Sequence, residues 1–252
     1  MNGRDKKLSE LAHRSEAAKP EGETRTGAME TMRRTRLKAM MTGLALMGAL
    51  ALPAAAGDTL EQQHAKQALF RTDHFQGIWE ATPEGRLRHV QSGLLCDLKL
   101  KNSDYVILKV LDAEKGKDVS CMFDTPRLGR ITVFATRLPS GMSAEDFFPV
   151  VSESIRLSVE DAKPLPAPAA GRLVDKDLGL DVAPLTSAYQ TVYDGRYFNM
   201  LTYFGVTNGW AIKVHASIWT PGADEGAARA EALWQESMKS VTRATKGASE
   251  GH

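Results

Sequence analysis

The chain is 252 residues long with a formal net charge of +1, but the charge is unevenly spread: residues 1–56 hold 10 of the 32 Lys and Arg and 6 of the 31 Asp and Glu, leaving 22 against 25, or −3, on the rest. A mildly acidic body argues against nucleic acid or an anionic membrane surface as partner. The 196 residues from Gly57 to His252 fit one domain, large enough to bury a real core.

Residues 1–31 carry Arg4, Lys6, Lys7, Glu10, Arg14, Glu16, Lys19, Glu21 and Glu23 with hardly an apolar side chain, too little to offset the entropy of ordering them. They read as a disordered leader, or as a start codon placed upstream of a true one at Met29 or Met32. Residues 32–56 read as a signal peptide. Arg33, Arg34, Arg36 and Lys38 make a basic start, and Ala39 to Leu52 is an uncharged run shorter than the roughly 20 residues that span a hydrocarbon layer. Pro53 breaks the run, and Ala54 and Ala56 put small side chains where a signal peptidase reads them, so cleavage falls before Gly57. No cysteine follows to take a lipid anchor. The alternative is an uncleaved membrane anchor. Arg33 to Lys38 resembles the twin-arginine export signature, with Arg36 where a large apolar residue is usual, and the general export route stays open beside it. The expected location is periplasmic or secreted, with no stable membrane span after cleavage.

In chain order, Thr59 to Gln62 is a capping box that opens a short helix over 60–70, with Leu60, Ala65, Ala68 and Leu69 as a narrow apolar stripe. Pro83-Glu84-Gly85 is a turn before an alternating strand at Leu87 to Val90. Tyr105 to Leu111 is rich in β-branched and aromatic residues and reads as a central strand. Val119 to Phe123 and Ile131 to Leu138 follow so closely that antiparallel pairing is favoured over crossovers. Ser143 caps a helix with Glu145 and Asp146 in its first turn, and Phe147, Phe148, Val151, Ile155 and Val159 form its buried stripe. The stretch 163–171, with prolines at 164, 166 and 168, reads as an extended surface linker dividing the domain into halves.

The second half has the clearest β pattern. Ser187 to Tyr193, Arg196 to Gly205 and Gly209 to Trp219 are joined by Asp194-Gly195 and Asn208-Gly209, both favoured hairpin pairs. In the last strand Trp210, Ile212, Val214, Ala216 and Ile218 alternate with Ala211, Lys213, His215, Ser217 and Trp219, one face buried and the other partly wet. Asp224 and Glu225 open a final helix with Ala227, Ala230, Trp234, Met238 and Val241 at helical spacing, and 247–252 is a flexible polar tail. The layout is α+β: a largely antiparallel sheet with helices packed on its faces, one domain over 57–246. The meander ending in GWAIKVHASIW, followed by a helix containing ALWQESMKSV, resembles domains of the PsbP-like fold over Thr186 to Val241. The likeness lies in element order and includes no diagnostic motif. It implies a fold that hosts unrelated accessory and binding roles.

Cys96 and Cys121 form an even count in an exported chain, so a Cys96–Cys121 disulfide is expected. A plain meander of strands near 90–98, 105–111 and 118–123 would hold the two cysteines about 9.6 Å apart, beyond disulfide reach. Either 99–104 is not a tight turn, or the cysteines lie off one ladder. Gly141 to Glu145 approaches a nucleophile elbow but lacks the closing glycine, and Ser143 is better used as a cap. HExxH, a phosphate-cradling glycine loop and CxxC are all missing, which removes the motifs of zinc proteases, nucleotide binders and thioredoxin-like enzymes. Asp175 to Asp181 faintly resembles a calcium loop but lacks the later glutamate, so it reads as a solvated acidic loop. His64, His74, His89, His215 and His252 make no pair at ligand spacing. Neither a metal nor a cofactor is expected.

Among Tyr189, Tyr193, Tyr197, Phe198, Tyr203, Phe204, Trp210 and Trp219, sheet core is the plain reading, and Trp219 beside Lys213 and His215 is the member expected at the surface. The candidate binding surface is Tyr197, Tyr203, Lys213, His215 and Trp219. Two functional classes follow: a non-catalytic exported domain that binds an envelope protein or a small apolar ligand, and a hydrolase using Cys96, with His89 as base, or a serine the sequence does not single out.

Overall fold

Asp194 and Gly195, and Asn208 and Gly209, all take left-handed φ angles of 50°, 70°, 49° and 75°. That geometry suits a two-residue hairpin, because its twist matches the strands it joins. The computed structural model describes residues 58–60, 62–63, 65–66, 77–97, 105–112, 116–125, 128–159 and 161–249. The leader, the signal segment, residues 250–252 and most of the helix expected over 60–70 lie outside them. Of that helix, Leu60, Gln62, Gln63, Ala65 and Lys66 are helical. Its capping box closes as expected, Gln62 N donating to Thr59 Oγ1 at 3.2 Å and Thr59 N to Gln62 Oε1 at 2.8 Å.

Three short strands come first, β1 (Trp79–Ala81), β2 (Leu87–His89) and β3 (Leu95–Cys96), in a small antiparallel sheet of their own. The main sheet uses β4 (Tyr105–Val110), β5 (Asp118–Thr125), β6 (Gly129–Arg137), β7 (Lys163–Leu165), β10 (Leu185–Tyr193), β11 (Arg196–Thr207) and β12 (Trp210–Trp219). Its order is β4-β5-β6-β12-β11-β10-β7, every neighbour antiparallel. Between β7 and β10, β8 (Leu173–Asp175) and β9 (Leu180–Val182) form a separate hairpin. The helices are α1 (Ala144–Leu157) and α2 (Ala223–Ser249), and no helix among the described residues is long and apolar enough to cross a membrane.

Trp210, Ile212, Val214, Ala216 and Ile218 face α2 in one core with Ala230, Trp234, Met238 and Val241. The approach is close: a Cβ on Gly205 would lie 2.8 Å from Trp234, and one on Gly226 would lie 2.4 Å from Ile218. On the other face Val151 and Ile155 of α1 pack with Phe204, Ala211 and Leu138, and Phe147 and Phe148 close the edge. Ser143 caps α1 with a full capping box, Asp146 N to Ser143 Oγ at 3.1 Å and Ser143 N to Asp146 Oδ2 at 3.4 Å. Val159 lies beyond the helix end.

Three expectations need correction. Lys163–Leu165 is a packed edge strand and not a free linker: Pro164 pairs with Tyr189, because the outermost strand tolerates a residue that cannot donate on its open side. The prolines also do not divide the domain, since β6 pairs with β12 over Gly129–Arg137 and joins both halves in one sheet. Finally, α2 runs to Ser249, two residues past the start of the expected tail.

The disulfide forms, and its placement resolves the geometric conflict. Cys96 and Cys121 are bonded with Cα atoms 6.1 Å apart. Cys96 belongs to the small sheet and Cys121 to β5, and both point into the α2-side core. The bridge therefore joins two separate sheets and crosses no ladder. The turn before β3 meets α2 as well: Gly93 has φ 75°, and a Cβ there would lie 2.1 Å from that of Ala244.

Candidate functional site

Strand ends on the α1 side of the sheet meet at a cleft of about 510 Å³ lined by Leu111, Asp112, Lys117, Asp118, Thr136, Arg137, Leu138, Pro139, Ser140 and Phe147. The start of β5, the end of β6 and the first turn of α1 build it, the last held in place by the Ser143 capping box. Its size is that of ordinary small-molecule sites, and Leu111, Leu138, Pro139 and Phe147 give it an apolar wall. Asp118, Thr136 and Phe147 also line a smaller cavity of about 40 Å³ beneath α1, shared with Phe134, Val150, Val151, Ser154, Phe204, Ala211 and Lys213. Cleft and cavity thus share a wall.

Asp118 sits at their junction. Burial pushes its carboxyl above the usual range, while the Thr136 hydroxyl, donating to Oδ1 at 2.9 Å, and the Lys213 ammonium pull it back. Lys213 Nζ lies 3.9 Å from the centre of the Phe134 ring. The site thus offers a half-buried carboxyl with a cation close by, set among aromatic and aliphatic side chains.

Register and alternation sort the expected surface residues. Lys213, His215 and Trp219 do share the α1-side face. Lys213 lines the cavity, and His215 is half-buried with its imidazole pushed down to about 3, by burial first and then by Lys213. Trp219 is half-buried against Phe198, ring centres 3.7 Å apart, with Arg196 over it at 5.2 Å. Tyr203 lies on the opposite face, 1 % exposed beneath α2, and its hydroxyl donates to Ala227 O at 3.2 Å. It cannot belong to a surface with the other three, and burial pushes its phenol up to about 12. Tyr197 shares that opposite face by alternation but is 57 % exposed near the β10–β11 turn. Asp118 and Thr136 escaped sequence reasoning, because only the β5–β6 register brings them together.

The hydrolase built on Cys96 loses its nucleophile, which is in the disulfide and fully buried. His89 does have a serine partner: Ser92 Oγ lies 2.7 Å from Nδ1, and Ser92 N donates to the same nitrogen at 3.2 Å. Both residues are fully buried, with His89 between Trp79 at 5.4 Å and Trp210 at 5.6 Å, so no substrate reaches them and the pair is structural. The acidic stretch is also structural. Asp175 Oδ1 accepts Leu178 N in the β8–β9 turn, its other oxygen is 3.4 Å from Lys239, and Asp181 pairs with Arg172.

Burial lowers the His89 pKa to about 4, so the folded protein holds the ring neutral while the unfolded chain protonates it near 6.5. The unfolded state therefore binds the extra proton between those values, and stability falls as pH drops from about 6.5 to about 4. The contribution of this one ring is about 3 kcal/mol. Urea unfolding across that range should show a steeper loss in the native protein than in His89→Gln, and equal slopes would contradict the assignment.

Together, the fold and the cleft define an α+β domain, a largely antiparallel sheet with two helices, carrying a ligand-sized hollow at one end of its α1-side face. The sequence matches no family model and no curated protein.

Proposed function

We propose that this chain is an exported, non-catalytic domain that holds a small, largely apolar molecule in the cleft beside α1. The observation that carries the reading is the cleft of about 510 Å³ with an apolar wall that continues under α1 to Phe134, Phe204 and Val151. The disulfide and the signal-like segment at 32–56 support a periplasmic or secreted location. A likeness to PsbP-like domains, resting on element order, accords with a binding role.

Protein purified from an envelope fraction should carry a small apolar molecule visible by native mass spectrometry. Val150→Trp, which fills the gap under α1 from a half-buried position, should lose it while melting as the native protein does. A chain that carries nothing, and whose melting is moved by no apolar probe, would overturn the reading. N-terminal sequencing of the same material should begin at Gly57; a chain retaining Met41 to Leu52 would show an anchor instead. A second reading, an envelope protein as partner, is favoured by one observation: Val192, Tyr193 and Tyr197 are 53 %, 72 % and 57 % exposed around a single hairpin turn.

A further inference from the structure

The charged side chains around the cleft divide between the two faces of the sheet. Arg137 N donates to Lys117 O at 2.6 Å, one step beyond the pairing of Asp118 with Thr136, so Lys117 and Arg137 alternate to the face opposite α1. Arg137 accordingly pairs with Trp210, holds its guanidinium 5.4 Å over that ring and donates from Nη1 to Asn208 O at 3.1 Å. Asp118 and Thr136 stay on the α1 side with Phe147 and Leu138. Leu111 joins them, its N–H donating to Asp118 O at 2.8 Å. Asp118 is thus a carboxyl on the apolar side of the cleft.

The fold leaves this carboxyl under-used. Among the described residues its one hydrogen-bond donor is the Thr136 hydroxyl, 2.9 Å from Oδ1. Lys213 acts on it through space without an ion pair, its ammonium being 3.9 Å from the centre of the Phe134 ring, and Lys213 lines the small cavity and not the cleft. Asp112, also on the cleft, adds a like charge. A carboxylate drawn partly out of water with a single donor gains most from a second donor that carries positive charge.

Resting on the cleft reading, we propose that the molecule held there is an amine with an apolar body, its ammonium donating to Asp118 and its body lying against Leu111, Leu138 and Phe147. An alcohol would supply a hydrogen bond but no charge to meet the carboxylate. A ligand carboxylate would be repelled by both Asp118 and Asp112. The volume of about 510 Å³ is ample for a two-ring aromatic body.

The test titrates the purified, dialysed protein calorimetrically with naphthylethylamine, naphthylethanol and naphthylacetate, which share a ring system and differ in charge. The amine should bind about tenfold more tightly than the alcohol, a charge-assisted bond against a neutral one, and naphthylacetate should bind weakest. Asp118→Asn keeps an acceptor for the Thr136 hydroxyl and removes the charge, so it should bring the amine to the level of the alcohol. That variant should melt no lower than the native protein, since the fold loses a partly desolvated charge and no hydrogen bond. Asp112→Asn should weaken the amine by about threefold and leave the order of the three ligands unchanged. If Asp118→Asn does not fold, that order on the native chain and the Asp112→Asn shift decide the matter by themselves. The alcohol or naphthylacetate binding as well as the amine, or an amine that keeps its lead in Asp118→Asn, would overturn the amine assignment and leave the cleft reading standing. If none of the three binds or moves the melting temperature, both fall.

Discussion

Trp210→Ala should unfold the domain or leave it about 3 to 5 kcal/mol less stable, the usual cost of cutting a large buried aromatic to a methyl. Trp210 is 2 % exposed, meets His89 edge-on at 5.6 Å, and has the Arg137 guanidinium 5.4 Å above its ring. Its loss opens a cavity where the small sheet and the main sheet meet. Trp219, on the same strand but the opposite face, is half-buried and held by the Phe198 stack and Arg196. Those contacts contribute about 0.5 to 1.5 kcal/mol and about 0.5 to 1 kcal/mol. Trp219→Ala should therefore remain folded with a modestly lower melting temperature. Chemical unfolding of both variants decides the matter. Equal and large losses would mean that both sheet faces are core at this end.

Reducing the Cys96–Cys121 bridge should lower stability by about 3 to 4 kcal/mol in the chain-entropy account, given a closed loop of this length. The loop spans 25 residues, and the bond joins the small sheet to β5 of the main sheet. The native protein should show no titratable thiol until it is unfolded and reduced, and its melting temperature should then fall. The double variant Cys96→Ala with Cys121→Ala should match the reduced protein. Two free thiols in material from the envelope would remove the bridge. A melting temperature unmoved by reduction would show that the small sheet is held by packing with Leu87, Leu94 and Trp79 instead.

Local chemistry was legible wherever it is written in consecutive residues. The Asp-Gly and Asn-Gly turns, the capping box at Thr59, the Ser143 cap and the alternation of Trp210 to Trp219 all took the form read from the sequence. Each depends on hydrogen bonds or φ angles within a few residues, so no distant contact could override it. The linker at 163–171 misled because prolines look alike in a solvated stretch and in an edge strand. Only the presence of Tyr189 alongside distinguishes the two.

What the amino-acid sequence determined by itself is the two long helices and the long strands β4, β5, β6, β10, β11 and β12, which face of β12 is apolar, and that the cysteines should pair. What only the tertiary structure decided is which strands are neighbours. Pairing β6 with β12 made one sheet of two halves, and pairing β5 with β6 put Thr136 on the half-buried carboxyl of Asp118. The same registers set Ser187, Thr202 and His215 in one row and sent Tyr203 beneath α2. The reason is physical: a strand's alternation names its two faces, but register and partner are chosen by side chains remote in sequence, and a site spread across several strands exists only once that choice is made.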